Sequence, residues 1–396
     1  SPSTICDLGL ISEIDFAKQA ITALGGEIIS QSDPHCLMVD PRSLNSYTVP
    51  FEIGVKSRAS NLYAPILLSK FKKAIVPMPG GDRISKRPLE RHFAGIEAMG
   101  AKIIDRGEEI LFEAPNGLTG ANYRFAKNTH TGTEFLLMAG VLAKGETILE
   151  NAAVEPEVDD LIKFLNLMGA KITRTASRTI KIVGVDRLSG AKHTVMHDRN
   201  EAVTFICAGL ATKGKVEILN LDQGVLTAFF KKIKEATNEN NELLATNVVT
   251  APYPGFMTDW QPLWATLMTQ ASGVSTIHET VHEKRFGYVA NLDQMGAKIN
   301  LFRPEVPSPD ETYNFNIEDD SPENMHAAKI IGPTPLFGAE IEVSDVRSGA
   351  TALLAGLIAK GETIVIDPKD QIKRGYEKLE EQLVSLGADI KILNDV

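Results

Sequence analysis

The chain has little cysteine, few aromatic rings, no surplus of basic charge and no long apolar run, and each shortage removes a class of protein. Three cysteines in 396 residues, Cys6, Cys36 and Cys207, have neither metal-ligand nor Cys-x-x-Cys spacing, which argues against a zinc knuckle, a redox motif and a disulfide framework. Their odd number fits a reducing compartment, and the expectation is three reduced thiols, buried or idle. No stretch reaches the ~18 apolar residues of a membrane span, and the first residues lack the basic-then-apolar order of a signal peptide. Cytoplasm is the expected location, with no membrane partner. There are 41 Lys and Arg against 51 Asp and Glu, a net charge of −10, which argues against a nucleic-acid partner because phosphate backbones are held by clustered cations. An acidic chain can still carry one basic pocket for a small anion.

What is present is an ordinary globular composition, 43% hydrophobic with 6% aromatics, and a length that predicts two or three domains. Self-similarity then organises it. One element, the end of a helix running into a strand, recurs as "ALGGEII" at Gly25, "AMGAKII" at Gly100, "LMGAKIT" at Gly169, "QMGAKIN" at Gly296 and "SLGADIK" at Gly387. Each glycine is a natural helix C-cap. A degenerate sixth copy lies at "KKIKEATNENN", residues 231–241, with an asparagine-rich turn for the glycine. A second element alternates with it: "APILLSKFKKAIVPM" from Ala64, "AGVLAKGETILEN" from Ala139, "AGLATKGKVEILN" from Ala208, "TLMTQASGVSTIHET" from Thr266 and "AGLIAKGETIVID" from Ala355. The repeat spacing, about 60 to 90 residues, is too long for a solenoid and predicts compact sheet-and-helix subdomains. Six units, three on each side of a break near His197, predict two pseudo-symmetric domains, residues 1–196 and 197–396. The opening "STICDL" matches only the closing strand of the second element, so the chain is expected to start in mid-repeat, with about thirty or more residues of the pattern lying before Ser1.

The stretch "PMPGGDRISKRPLERH", residues 77–92, sets two glycines, Asp82 and the cations Arg83, Lys86 and Arg87 between a strand-like Ala74-Ile75-Val76 and a helical run that Pro88 could open and Gly100 ends. Gly80 and Gly81 permit backbone angles that other residues resist, and helix amides favour an anion. Two readings stay open: a cradle for a phosphorylated ligand, or a solvated loop. The acidic run "EPEVDD", residues 155–160, reads as a helix N-terminus with Pro156 in its first turn rather than as a metal site.

The blocks "TGTEFLLMAGVLAKGETILENAAVEPEVDDLIKFLNLMGAKI", "DRNEAVTF", "TDWQPLWATLMTQASGVSTIHETVHEKRFGYV", "SDVRSGATALLAGLIAKGETI" and "KRGYEKLEEQLVSLGADI", together with the 77–92 loop, resemble the enolpyruvyl transferase family, in particular its members acting on UDP-N-acetylglucosamine. The resemblance runs in order from about residue 4 to residue 391. It implies an α/β fold of two inside-out α/β barrels, each of three βαβαββ repeats, with the active site in the interdomain cleft and a mobile loop at residues 80–87. The implied reaction moves the enolpyruvyl group of phosphoenolpyruvate to the sugar 3′-hydroxyl and releases phosphate, committing the sugar nucleotide to peptidoglycan. Two small-molecule substrates are implied, with no metal or organic cofactor. Oligomeric state is not indicated.

Such chemistry needs a base at the hydroxyl, an acid at the methylene carbon and cations for carboxylate and phosphate. The resemblance points to Asp259, in "FMTDWQP", as the base. Read alone, Asp259 could equally cap the helix that begins near Gln261. Asp82 stands where the family usually has the loop cysteine and some members have aspartate, so it is the implied proton donor. Because fosfomycin acts on this family by alkylating that cysteine, the resemblance implies intrinsic resistance. Arg87, Arg347 and Arg374 match guanidinium positions around phosphoenolpyruvate, suited to bidentate anion binding. Read alone, Arg347 and Arg374 would be surface ion-pair residues. Arg58 matches an arginine near the diphosphate. Arg87, Pro88, Leu89 and Glu90 are implied along the uridine, the backbone of Asn128, Thr129, His130 and Thr131 at the opposite wall, and Val281 among the substrate contacts.

Three positions depart from the family pattern. His130 and His282 replace residues that are more often small, aliphatic or aromatic, and Leu62 stands where an indole is common; neither histidine is given a proton-transfer role. The family's adjacent lysine and asparagine, which bind the two substrates, belong to the segment expected before Ser1. The loop cations are expected to lack an anion until nucleotide arrives, closes the cleft and orders residues 80–87. Two other readings stand beside this one: a relative that uses shikimate 3-phosphate, which the "RPLERH" segment fits less well, and an inactive binding homologue.

Overall fold

The computed structural model describes residues 1–80 and 85–393. They divide into two compact units, one of residues 1–80 with 88–196 and the other of 85–87 with 197–393. Loop residues 85–87 therefore group with the second unit, whereas the sequence places the whole loop in the first domain. The reason is local: the Lys86 backbone N–H donates to Glu283 Oε1 at 2.6 Å and Ser85 Oγ lies 3.1 Å from His282 Nδ1. Lys86 Nζ already has an anion, Asp319 Oδ1 at 3.3 Å, so the expectation of anion-free loop cations does not hold for Lys86.

The first unit carries β1 (Ser3–Cys6), β2 (Glu27–Ser30), β3 (Leu37–Asp40), β4 (Lys73–Pro77), β5 (Lys102–Asp105), β6 (Glu109–Glu113), β7 (Asn122–Arg124), β8 (Glu146–Glu150), β9 (Lys171–Ala176), β10 (Thr179–Val183) and β11 (Lys192–Thr194). They form three sheets, in the orders β11-β1-β3-β2, β4-β6-β5 and β7-β8-β10-β9. The first and third share one pattern, a parallel pair followed by two antiparallel ones. In the second, the parallel partner shrinks to a single bridge between Thr48 and Ile75. The second unit carries β12 (Val248–Val249), β13 (Gly273–His278), β14 (Lys298–Phe302), β15 (Ala327–Gly332), β16 (Glu340–Glu342) and β17 (Ile364–Ile366). The sheet β12-β13-β15-β14 repeats the same pattern, and β16-β17 is a parallel pair.

The repeat read in the sequence has a backbone cause. Gly25, Gly100, Gly169, Gly296 and Gly387 all have φ between 91° and 103°, the left-handed region where a Cβ is strained. The degenerate copy ends its helix, Thr227–Glu235, in a turn whose Asn241 has φ 59°, an angle asparagine tolerates. The copy at 208–220 runs from the helix Arg199–Ala211 into a segment without strand pairing, although its sequence matches the others. Gly80 has a different reason for being glycine: a Cβ there would sit 1.6 Å from Val55 O, so close backbone approach, not a special angle, demands it.

Each unit has its own apolar core. In the second, Phe229 and Phe256 each meet Trp260 and Trp264 edge to face with centroids 5.4–6.0 Å apart, around the buried helix Gln261–Met268. Each such side chain contributes roughly 1.5–3 kcal/mol by burial. The run after Glu155 is the helix Pro156–Leu167 with Pro156, Glu157 and Asp159 in its first turn, as its sequence predicts.

The cysteine expectation is corrected. Antiparallel register pairs Ile5 with Leu37, so Cys6 and Cys36 are the next cross-strand neighbours, 4.0 Å apart at Cα, and they form a disulfide. A 30-residue separation hides this because register is not visible in spacing. Only Cys207 is a free thiol; it is buried, and burial pushes its pKa up.

Candidate functional site

In the first unit the helix Glu90–Ala98 starts two residues after Pro88, with Leu89 as the N-cap. Its first turn presents Arg91 and His92 to the segment 128–131. Arg91 Nη1 donates to Asn128 O at 3.2 Å, and His92 Nε2 lies 3.1 Å from Thr131 Oγ1. Burial, then the charges of Arg58 and Arg91, hold His92 at a pKa of about 3, so its ring is neutral. Thr129 caps the helix His130–Gly140 by accepting the Gly132 N–H, and Asn128 is buried with its amide on Asn151 O at 3.4 Å. His130 Nε2 is 3.2 Å from Glu134 Oε1. Burial alone would lower its pKa, but Glu134, Glu155 and Glu157 outweigh that and raise it to about 9. Arg58, Leu89, Glu90 and Asn128–Thr131 thus fall in one region, with two residues the sequence did not single out, Arg91 and His92.

In the second unit Asp259 lies just before a helix whose N-cap is Trp260 and has no side-chain cap bond, so the capping reading fails. Its carboxylate faces cations instead. Arg285 Nη2 donates to Asp259 Oδ1 at 2.9 Å, and Arg347 Nε is 3.6 Å from the same oxygen. Burial pushes the Asp259 carboxyl up, but Arg347, Arg285, His282 and Arg87 together hold it at about 2. A third of its side chain remains open to solvent. Arg347 sits in the first turn of the helix Val346–Ile358, fixed by an Asp345/Ser348 capping box. Its Nη1 donates to Tyr376 Oη at 2.9 Å and its guanidinium lies 5.4 Å from the Tyr376 ring centroid. Tyr376 is buried, with Thr204 Oγ1 at 2.8 Å from its hydroxyl. Arg374 is two residues earlier on the helix Gln371–Gly375, donating to Gln371 Oε1 at 3.2 Å. The surface-ion-pair reading fails for Arg347, which is held inward by Tyr376. Arg87 is in the left-handed region at φ 49°, a conformation non-glycine residues adopt at a cost and that clusters at functional sites. The Val281 and His282 N–H groups both donate to buried Glu279 Oε1, at 2.8 and 3.0 Å.

The second unit therefore brings together Asp259, Arg87, Arg347 and the segment 279–285. A carboxylate ionised at every ordinary pH, ringed by guanidinium groups, is suited to guide a hydroxyl beside an anionic co-substrate. Asp82 and Arg83 lie outside the described residues.

The profile of the EPSP synthase (3-phosphoshikimate 1-carboxyvinyltransferase) family matches residues 1–383. The chain belongs to this enolpyruvyl transferase family. The enolpyruvyl transferase is 37% identical over 402 residues to UDP-N-acetylglucosamine 1-carboxyvinyltransferase 3 of Caldanaerobacter subterraneus subsp. tengcongensis, covering 98% of this chain and 90% of that one. It is 38% identical to UDP-N-acetylglucosamine 1-carboxyvinyltransferase of Cellvibrio japonicus, over 96% of this chain and 88% of the relative. Its fold is similar to the crystal structure of the enolpyruvyl transferase NikO from Streptomyces tendae, with a TM-score of 0.81 at 23% identity, over 99% of this chain and 90% of that one. It is similar also to EPSP synthase from Acinetobacter baumannii, with a TM-score of 0.67 at 18% identity, over 98% of this chain and 90% of that one.

Sequence reading of the enolpyruvyl transferase missed Arg285, Glu279 and Tyr376, all buried and polar. The signal was present but indistinct: Arg285 lies in "HEKRFGYV" and Tyr376 in "KRGYEKL", where nothing in composition marks a charged or hydroxyl side chain as buried.

Proposed function

We propose that this protein transfers the enolpyruvyl group of phosphoenolpyruvate to the 3′-hydroxyl of UDP-N-acetylglucosamine and releases phosphate, the first committed step of peptidoglycan synthesis. The observation that carries the reading is 37–38% identity, over nearly the whole chain, to two relatives of that name. In the mechanism, Asp259 receives the proton of the sugar hydroxyl as its oxygen attacks C2 of phosphoenolpyruvate. A proton delivered to C3 completes a tetrahedral ketal. Loss of a C3 proton and of inorganic phosphate then restores the double bond, so atoms and charges balance.

Asp259 at a pKa of about 2 is a weak base in the free protein. Phosphoenolpyruvate changes that: its carboxylate and phosphate neutralise the arginines, the carboxylate becomes more basic, and proton transfer is coupled to the presence of both substrates. Arg347, Arg374 and Arg87 are assigned to the anionic co-substrate. Arg58, Pro88, Leu89, Glu90, Asn128, Thr129, His130, Thr131 and Val281 are assigned to the sugar nucleotide, and Asp82 to the C3 proton. The inside-out barrel architecture, the domains 1–196 and 197–396 and a cytoplasmic location belong to the same proposal; residues 81–84 of the loop 80–87 lie outside the described residues.

The family profile carries the shikimate enzyme's description, so shikimate 3-phosphate is the competing acceptor. Mass spectrometry of reactions given both acceptors and phosphoenolpyruvate decides between them. An enolpyruvyl adduct on the sugar nucleotide supports the reading; an adduct on shikimate 3-phosphate alone overturns it.

A further inference from the structure

Behind Asp259 the second unit holds a buried polar brace to which the reaction as described assigns no part. Arg285 is 5% exposed and Glu279 fully buried. Besides its bond to Asp259 Oδ1 at 2.9 Å, Arg285 donates from Nε to Thr258 O at 3.4 Å. Thr258 Oγ1 donates to Glu279 Oε2 at 3.0 Å, and Glu279 Oε1 gathers the N–H groups of Val281 and His282 at 2.8 and 3.0 Å. The Arg285 guanidinium thus bonds Asp259 directly and reaches Glu279 through Thr258; burial pushes the Glu279 carboxyl up, and the Val281 N–H and the Arg285 charge oppose that rise. Both ion-pair contacts to Asp259, from Arg285 and Arg347, fall on Oδ1.

We propose that Arg285 is a positioning residue: anchored through Thr258 and Glu279, it ties down Oδ1 of Asp259 and orients Oδ2 toward the acceptor hydroxyl. The proposal rests on Asp259 being the base. A carboxylate on a loop turns freely about its side-chain bonds unless one oxygen is tied, and a misplacement of about 1 Å in a reacting group costs on the order of 100-fold in rate. The planar guanidinium meets Asp259 and the Thr258 carbonyl together, which a lysine ammonium on a flexible stem does less well. Arg285 also bears on when Asp259 is ionised. The charged groups facing Asp259 are Arg285 and His282 from the segment after β13, Arg347 from the helix Val346–Ile358, and Arg87; Tyr376 and Asp198 act on Arg347 behind it. Removing Arg285 leaves the other cations in place, so the carboxyl rises only part of the way toward its ordinary range.

The test is kcat and KM at neutral pH for Arg285→Gln and Arg285→Lys, each also combined with Asp259→Asn, with rates expressed per mole of protein that binds UDP-N-acetylglucosamine by calorimetry, so that misfolded protein does not count. Arg285→Gln is expected to lower kcat about 10- to 100-fold with KM within about 3-fold. Arg285→Lys recovers part of kcat. In the Asp259→Asn background neither substitution lowers kcat further. An unchanged kcat in Arg285→Gln, or the same kcat loss in both backgrounds, overturns the proposal. Normal turnover by Asp259→Asn alone overturns the base assignment instead, which keeps the two failures distinct.

Discussion

Asp259 illustrates how a residue's role depends on the sign of its surroundings. In the free protein it is held at about pKa 2 by Arg347, Arg285, His282 and Arg87 against the opposing effect of burial. Because that value lies below the unfolded one, the stabilisation is present above about pH 4 and lost as pH falls toward 2, so the pairing is fully in place at neutral pH. Asp259→Asn is expected to cut turnover by about 100- to 10,000-fold while UDP-N-acetylglucosamine affinity stays within a few-fold, read by steady-state kinetics and calorimetry. Near-normal turnover would remove Asp259 from the mechanism. At Asp82 the expectation concerns reactivity: a carboxylate is a far weaker nucleophile toward an epoxide than a thiolate. The unmodified protein should show no time-dependent inactivation by fosfomycin, whereas Asp82→Cys should acquire it together with a mass adduct. An adduct on the unmodified protein contradicts the assignment.

At the scale of elements, the repeated helix-to-strand turn was legible because a left-handed cap leaves a glycine in the sequence. Gly169 has φ 99° and open space where a Cβ would stand, with nothing within 4 Å, so Gly169→Ala isolates the backbone cost; thermal or urea unfolding should show a loss of about 1 kcal/mol. The copy at 208–220 was misleading for the opposite reason, since strand pairing depends on a partner edge that local sequence does not encode. The Cys6–Cys36 bridge was hidden likewise by register. At the start of the helix His130–Gly140, the pKa of His130 is raised above its unfolded value of 6.5 to about 9. The sign follows: stability from this ion pair is full below about pH 6.5 and lost as pH rises toward 9. A His130→Gln variant should flatten the decline of melting temperature between those limits, and an unchanged slope would show that Glu134, Glu155 and Glu157 do not act through it.

At the scale of the whole molecule, family and reaction class were legible from ordered blocks spread over the chain, and the assigned arginines from their match to those blocks. What was not legible is the polar scaffolding, the buried Arg285, Glu279, Tyr376 and His92 and the half-buried Arg91, because such a residue is recognisable only once its partners are folded around it. The proposed function joins these scales: Asp259 among its arginines serves enolpyruvyl transfer to a sugar nucleotide. The most direct measurement is the rate of phosphate release by the full-length protein given phosphoenolpyruvate with UDP-N-acetylglucosamine, or with shikimate 3-phosphate. Release is expected to require both phosphoenolpyruvate and the sugar nucleotide and to be absent with shikimate 3-phosphate; no release with the sugar nucleotide, from protein that calorimetry shows to bind it, would contradict the proposed function.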